Sequence, residues 1–182
     1  MSEFGYELRI PKDRIAVLIG KKGETKKRIE EETKTEIKID SKEGDVFVAG
    51  EDALGLFTAR EVIQAIGRGF NPDIALLLLK SDYALEIIDI KDFTGKSKTT
   101  TIRLKGRVIG EGGKSRKTIE DLTECYISVY GKTIAIIGEP DNVAAARKAA
   151  EDLLKGSPHG NVYKYLEKRR RLMKRKKLIG TE

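Results

Sequence analysis

Glycines at positions i and i+3 recur in this chain, as Gly20-Lys21-Lys22-Gly23 and, 90 residues later, as Gly110-Glu111-Gly112-Gly113. Such a spacing allows tight backbone geometry and leaves the backbone bare, so another polymer can lie against it. If a helix begins at the loop, its free N–H groups and positive dipole end favour an anion such as phosphate. The chemistry on offer is therefore binding. The side chains around the first loop agree: Lys21 and Lys22 sit inside it, and Lys26 and Lys27 follow. The second loop carries Glu111, which opposes a phosphate, but Arg107, Lys114, Arg116 and Lys117 surround it. Bond-making chemistry finds little support. The single histidine, His159, stands in a predicted loop, the single cysteine is Cys125, and no Cys/His spacing suits a metal. No nucleophile stands beside a base. Glu30-Glu31-Glu32 reads as a solvated helix face. Gly112-Gly113-Lys114-Ser115 imitates the end of a P-loop, yet its first glycine would have to be Val108. A dinucleotide fingerprint fails at Ser115, where its third glycine belongs.

The elements that must position these loops also come twice. At the same 90-residue offset stand Leu18-Ile19 and Val108-Ile109, Ile29 and Ile119, Thr33 and Thr123, Ile37 and Ile127, and Ile39 and Val129. A duplicated frame means a duplicated domain. Glycines that only cap helices would explain neither the duplication nor the local basicity. Each copy reads strand, helix, glycine loop, helix, strand, strand, helix. Residues 8–10 form the first strand, and 35–39 and 45–48 form a hairpin from their period-two alternation. Residues 51–66 suit a long helix with Leu54, Phe57, Ala59, Val62, Ile63 and Ile66 inward. The second copy has a strand at 84–90, a basic loop at 93–97, helices at 99–109 and 114–123, a hairpin at 126–137 and a helix at 141–154. In this arrangement Ile37 or Ile127 would supply an apolar groove floor for bases. The expected boundaries are 1–70, 71–82 as a helical connector, 83–157, and 158–182 as a basic tail whose helix covers 162–177.

Charge sharpens the picture. The chain carries +7 overall, but residues 164–177 alone carry +8, so the rest nets −1. Within that remainder, residues 9–28 hold eight basic and two acidic side chains, and residues 96–117 hold eight and one. Both segments enclose a glycine loop. Basicity confined to patches points to a polyanion at those patches. The tail cations Lys168, Arg169, Arg170 and Arg171 are candidates for the same partner. One cysteine excludes an internal disulfide and suits a reducing compartment. No apolar stretch reaches the ~20 residues of a membrane span. The expectation is a cytoplasmic protein with no membrane contact, no metal and no cofactor.

These residues resemble the K-homology (KH) domain in its type I order. The matching pattern is Leu18-Ile19-Gly20-Lys21-Lys22-Gly23, then Ile29, Thr33 and Ile37, and again Val108-Ile109-Gly110-Glu111-Gly112-Gly113, then Ile119, Thr123 and Ile127. The resemblance implies an α/β (α+β) fold of two tandem KH domains, each a three-stranded sheet packed on three helices, plus a basic C-terminal helix. It implies a clamp for about four single-stranded nucleotides at each loop. The linker Asn71-Pro72-Asp73-Ile74-Ala75 and the segment Gly156-Ser157-Pro158-His159-Gly160-Asn161-Val162-Tyr163 are similar to archaeal KH proteins of small-subunit ribosome assembly, relatives of the eukaryotic partner-of-Nob-one and KRR-type proteins. That likeness implies a non-catalytic protein on single-stranded rRNA near the 3′ end of small-subunit rRNA or its precursor. It also implies contact with the Nob endonuclease, the rRNA dimethyltransferase or a translation initiation factor subunit. Two alternatives are an exosome-type RNA-decay subunit and an adaptor whose first KH copy binds a protein. In the eukaryotic relatives the first copy tends to lose its glycines, whereas Gly20 and Gly23 are kept here.

Overall fold

The structure, a computed structural model, describes residues 4–180. Two compact units divide between Leu85 and Glu86. The first contains β1 (Phe4–Arg9), α1 (Lys12–Ile19), α2 (Glu24–Thr33), β2 (Thr35–Asp40), β3 (Asp45–Gly50) and α3 (Ala53–Gly67). Its sheet runs β1-β3-β2, antiparallel throughout. Residues paired across such a sheet share a face. Ile37 pairs with Val48 and both are buried, while Lys38 and Glu7 flank Phe47 on the outer face. The helices close over the inner face, with Leu18, Ile29, Ile63 and Ile66 fully buried. Asp52 starts α3 by accepting from the N–H groups of Leu54 and Gly55 at 3.3 and 3.1 Å. The connector follows as α4 (Pro72–Ala75), capped by Asn71, and a 3₁₀ turn at Leu76–Leu79. It packs on α3, which buries Leu76 and Leu78.

The second unit repeats this order with β4 (Ala84–Asp89), a short α5 (Lys91–Thr94), α6 (Lys98–Ile109), α7 (Lys114–Thr123), β5 (Tyr126–Tyr130), β6 (Thr133–Gly138) and α8 (Pro140–Leu154). Its sheet runs β4-β6-β5. Pro140 occupies the first turn of α8, where its missing N–H costs nothing. The core gathers Ile88, Leu104, Ile119, Ile127, Ile134, Ile136 and Leu153. α9 (His159–Ile179) lies on α7 and α8 and buries Val162 and Leu166. The basic tail is thus a docked helix for its first three turns. Burial lifts the thiol of Cys125 from 9.0 to about 11. Cys125 immediately precedes β5 and behaves as a small apolar side chain.

Four expectations need correction. The first strand begins at Phe4 instead of Leu8. Leu54 and Phe57 face solvent, at 73% and 47% exposure, and Leu56 takes the core position. The rest of the expected face, Ala59, Val62, Ile63 and Ile66, is buried. Residues 93–97 do not form a plain loop, because α5 folds Phe93 against the core. On α9, Tyr165 and Leu172 stand 40% and 48% exposed, so only Val162, Leu166 and the half-buried Met173 make the inner stripe.

Candidate nucleic-acid interface

Both glycine loops have the same backbone. Gly20, Lys22 and Gly23 take φ/ψ of 75/175, 53/26 and 77/11°, and Gly110, Gly112 and Gly113 take 75/171, 60/22 and 77/10°. Each loop is a tight turn between two helices, with a left-handed residue, Lys22 or Gly112, inside it. It is closed by the N–H of Gly23 on the Gly20 carbonyl and of Gly113 on the Gly110 carbonyl, both at 3.2 Å. The two glycines of each loop have different reasons. A Cβ on Gly20 would lie 2.9 Å from the Thr25 nitrogen, and one on Gly110 would lie 2.6 Å from the Ser115 nitrogen. The first glycine therefore lets the next helix pack close. A Cβ on Gly23, Gly112 or Gly113 would meet nothing within 4 Å. That side of the loop is open. Gly23 and Gly113 are also the N-caps of α2 and α7, and neither helix receives a side-chain cap. The N–H of Glu24 closes onto the Lys21 carbonyl and that of Lys114 onto the Glu111 carbonyl, and the dipole's positive end at each helix start is left for a ligand.

The side chains sort into three groups. Lys21, Lys22, Lys27, Glu111, Lys114 and Lys117 are exposed around the loops. Lys27 lies 3.9 Å from Glu31 and Lys26 lies 3.4 Å from Glu30, so these two are partly neutralised. Arg107 has a different role from the one its position suggested. Its guanidinium donates to the carbonyls of Leu153 at 2.9 Å and Ser157 at 2.5 Å, tying α6 to the end of α8. Arg14 does the same in the first unit, donating to Ile66 and Phe70 carbonyls at 2.8 and 2.7 Å. A cation suits a helix C-terminus, where carbonyls lack partners. Arg116 donates to the Ile127 carbonyl at 3.3 Å and pairs with Glu120 at 3.3 Å. His159 bonds the Arg107 carbonyl through Nε2 at 2.8 Å, which fixes the start of α9.

The expected apolar floor is absent at the expected place. Ile37 and Ile127 are 1% and 2% exposed, and their side chains belong to the core. Ile109, just before the second loop, is half-buried. The strand beside each groove is instead anchored by a bond the sequence reading missed. Glu30 accepts from the Ile37 N–H at 2.8 Å, and Glu120 accepts from the Ile127 N–H at 3.1 Å. Burial raises the Glu120 carboxyl above its ordinary value, against the pull of that N–H and of Arg116. The signal was present, since both glutamates obey the 90-residue offset, but it was hidden inside an acidic run. Thr25 and Ser115, the residues that each first glycine admits, obey it too.

Of the tail candidates, Arg169 donates to the Asp141 carbonyl at 3.1 Å and Asn142 Oδ1 at 3.0 Å. It anchors α9 on the start of α8. Lys168, Arg170 and Arg171 are exposed, as are Lys174, Arg175, Lys176 and Lys177. Among the described residues no cluster of His, Cys, Asp or Glu could hold a metal, and no helix is long and apolar enough to cross a membrane.

Known proteins share this arrangement. The KH domain family matches residues 5–65, and the eukaryotic-type KH domain (KH-domain type I) matches residues 84–171. KH domain-containing protein MJ0443 of Methanocaldococcus jannaschii is 51% identical over 172 residues, which is 92% of this chain and 75% of that protein. RNA-binding protein pno1 of Dictyostelium discoideum is 30% identical over 162 residues, 86% of this chain and 68% of that protein. A chain in the crystal structure of the a/eIF2alpha-aDim2p-rRNA complex from Pyrococcus horikoshii OT3 is 48% identical, with a TM-score of 0.86, over 93% of this chain and 95% of that one. Two glycine loops of identical geometry, in two KH units, with relatives of this length and identity, show that the chain belongs to the tandem KH-domain family of archaeal Dim2p and eukaryotic PNO1.

Proposed function

We propose that this protein is a non-catalytic RNA-binding factor of small ribosomal subunit biogenesis, working in the cytoplasm. It holds single-stranded rRNA, near the 3′ end of the small-subunit rRNA or its precursor, at its glycine loops. The observation that carries this reading is the pair of open, uncapped helix N-termini behind Gly23 and Gly113, with exposed Lys21, Lys22, Lys114 and Lys117 beside them. Phosphate contacts of this kind fix the position of the RNA without reading its sequence. The rRNA and a/eIF2alpha in the related complex support rRNA and an initiation factor subunit as partners. Gly112→Asp/Gly113→Asp tests the reading, because both positions open onto space and the fold has room for the side chains. Fluorescence anisotropy with labelled single-stranded rRNA should show affinity reduced at least about tenfold, the scale of losing one or two charge-assisted bonds. Unchanged affinity would refute it.

A second reading concerns the first unit. Phe4, Tyr6, Leu54 and Phe57 are all more than a third exposed there, with the Tyr6 ring against Arg60 of α3. An apolar surface of that kind suits a protein partner. Leu54→Asp/Phe57→Asp should then abolish capture of the initiation factor subunit and leave RNA affinity unaltered. Loss of RNA affinity in that variant would count against it.

A further inference from the structure

The second unit contains an element that the first lacks. In the first unit two residues, 10 and 11, separate β1 from α1, and α1 has 8 residues. In the second, residues 90–97 separate β4 from α6, and α6 has 12. The extra segment is firmly built. Ser97 caps α6 through the Thr100 N–H at 3.2 Å, Thr101 Oγ1 donates to the Ser97 carbonyl at 2.8 Å and stands 3.1 Å from Thr94 Oγ1, and the Ile90 N–H donates to the Lys132 carbonyl at 2.9 Å. Segment, helix and hairpin turn together enclose a cleft of about 590 Å³.

Five lysines ring that cleft: Lys91, Lys96, Lys98, Lys105 and Lys132. Among the described residues none of the five has an ion-pair partner, whereas Arg116, Arg147 and Lys148 of the same unit are paired with carboxylates. Ile102 adds an apolar surface at 71% exposure. Unpaired like charges crowded around a cleft destabilise the free protein and are relieved by a polyanion. Ile102, Lys105 and Ile109 stand at i, i+3 and i+7, so they share one face of α6. That face ends beside Gly110.

We propose that this cleft is a second RNA subsite. It takes the single strand that continues past the second glycine loop along α6, with phosphates on the lysine ammonium groups and a base against Ile102. The proposal rests on the RNA reading above and extends the footprint of the second unit beyond the nucleotides at its loop.

The test uses the full chain and two labelled single-stranded RNAs, one of about four nucleotides, the usual KH footprint, and one about three times longer. Lys96, Lys98 and Lys132 are exposed, so replacing all three by Gln leaves the core intact. The triple variant should bind the short RNA as the wild type does. With the long RNA its slope of log affinity against log salt should fall by about 2, at ~0.7 for each single-strand phosphate that the variant no longer neutralises. The wild type then loses about twentyfold more affinity than the variant between 50 and 200 mM salt. An unaltered slope with the long RNA, an equal loss with both lengths, or a larger effect on an RNA duplex of the long length would each overturn the proposal. Gly112→Asp/Gly113→Asp, measured alongside, should weaken both RNAs. If that variant alone leaves binding unchanged, the loop reading fails rather than the cleft.

Discussion

Replacing Gly110 by Ala should destabilise the second unit, whatever it does to RNA binding. At φ 75°, ψ 171° the residue sits in a region that only glycine enters readily, and the strain for another residue is about 1–3 kcal/mol. The added Cβ would lie 2.6 Å from both the nitrogen and the Cβ of Ser115, and 3.2 Å from its Cα. Two of those three atoms are backbone, in the first turn of α7, so no rotamer change relieves the contact and the helix must shift. Overpacking of this kind adds about 1–3 kcal/mol. The sum is about 4 kcal/mol, against a typical domain stability of 5–15. For a unit of this size each kcal/mol lowers Tm by roughly 4–8 °C, so the fall is about 20 °C. Gly113→Ala provides the contrast. At φ 77°, ψ 10° its Cβ meets nothing within 4 Å, which leaves only a left-handed strain of about 1 kcal/mol and a fall of about 5 °C. Gly112→Lys should be as mild, because Lys22 already occupies the equivalent conformation at φ 53°. Differential scanning calorimetry of the full chain measures all three. A Gly110→Ala protein that melts within about 3 °C of the wild type would refute the reasoning. The first glycine would then be kept for the ligand and not for helix packing.

Leu166, on the inner face of α9, is 1% exposed, so Leu166→Ala should cost about 2–5 kcal/mol and expose the helix to proteolysis; equal urea midpoints and equal cleavage rates would contradict its docked position. Replacing Lys174, Arg175, Lys176 and Lys177 by Gln leaves Leu166 and Arg169 in place, and should lower the RNA salt slope by up to about 3 if these cations lie on the strand. A slope equal to that of the wild type would take the end of α9 off the RNA. Cys125 makes the fold sensitive to alkali. Its folded pKa of about 11 lies above the ordinary 9.0, so the unfolded chain ionises first and stability is full below pH 9, then falls between pH 9 and 11. The loss should be about 1 kcal/mol at pH 10. Cys125→Ala should remove that component of the pH 8 to pH 10 difference in urea unfolding, and identical differences in both proteins would exclude it.

The repeated frame was legible because it is written in apolar residues. Ile29 and Ile119, Ile37 and Ile127, and Leu18 and Val108 are buried as their spacing requires, and the glycine between them forces the same loop twice. What stayed hidden depends on partners far apart in sequence. Nothing near Arg107 announces that its partners are the carbonyls of Leu153 and Ser157. A cation beside a glycine loop reads as a phosphate contact until the end of α8 is brought to it. Ile37 and Ile127 misled in the opposite way. Their alternation correctly gave a half-buried strand, but period two does not say which face is buried, and pairing with Val48 or Ile136 settles it inward. Leu54 and Phe57 failed because apolar character alone does not say whether a neighbour covers a position: Ala59, Val62, Ile63 and Ile66 of the same expected face are buried, while Leu54 and Phe57, near the start of α3, stand open to solvent.

These assignments alter the electrostatics of the two sites. The second loop was expected to offset Glu111 with Arg107, Lys114, Arg116 and Lys117. Arg107 and Arg116 are committed to backbone carbonyls, so only Lys114 and Lys117 stand free beside that carboxylate. The first loop keeps Lys21 and Lys22 exposed with no acid between its glycines. Charge at the loop alone would make the first site the stronger phosphate binder. The second unit compensates at a distance, through five unpaired lysines around the α6 cleft and the exposed cations of α9. A site charged in that way gains little from a short strand and much from a long one. Affinity should therefore rise with RNA length far more steeply for the second unit than for the first. Loop variants of each unit, titrated with the same short and long RNAs, measure the difference, and parallel length dependence would show that Glu111 is offset locally after all.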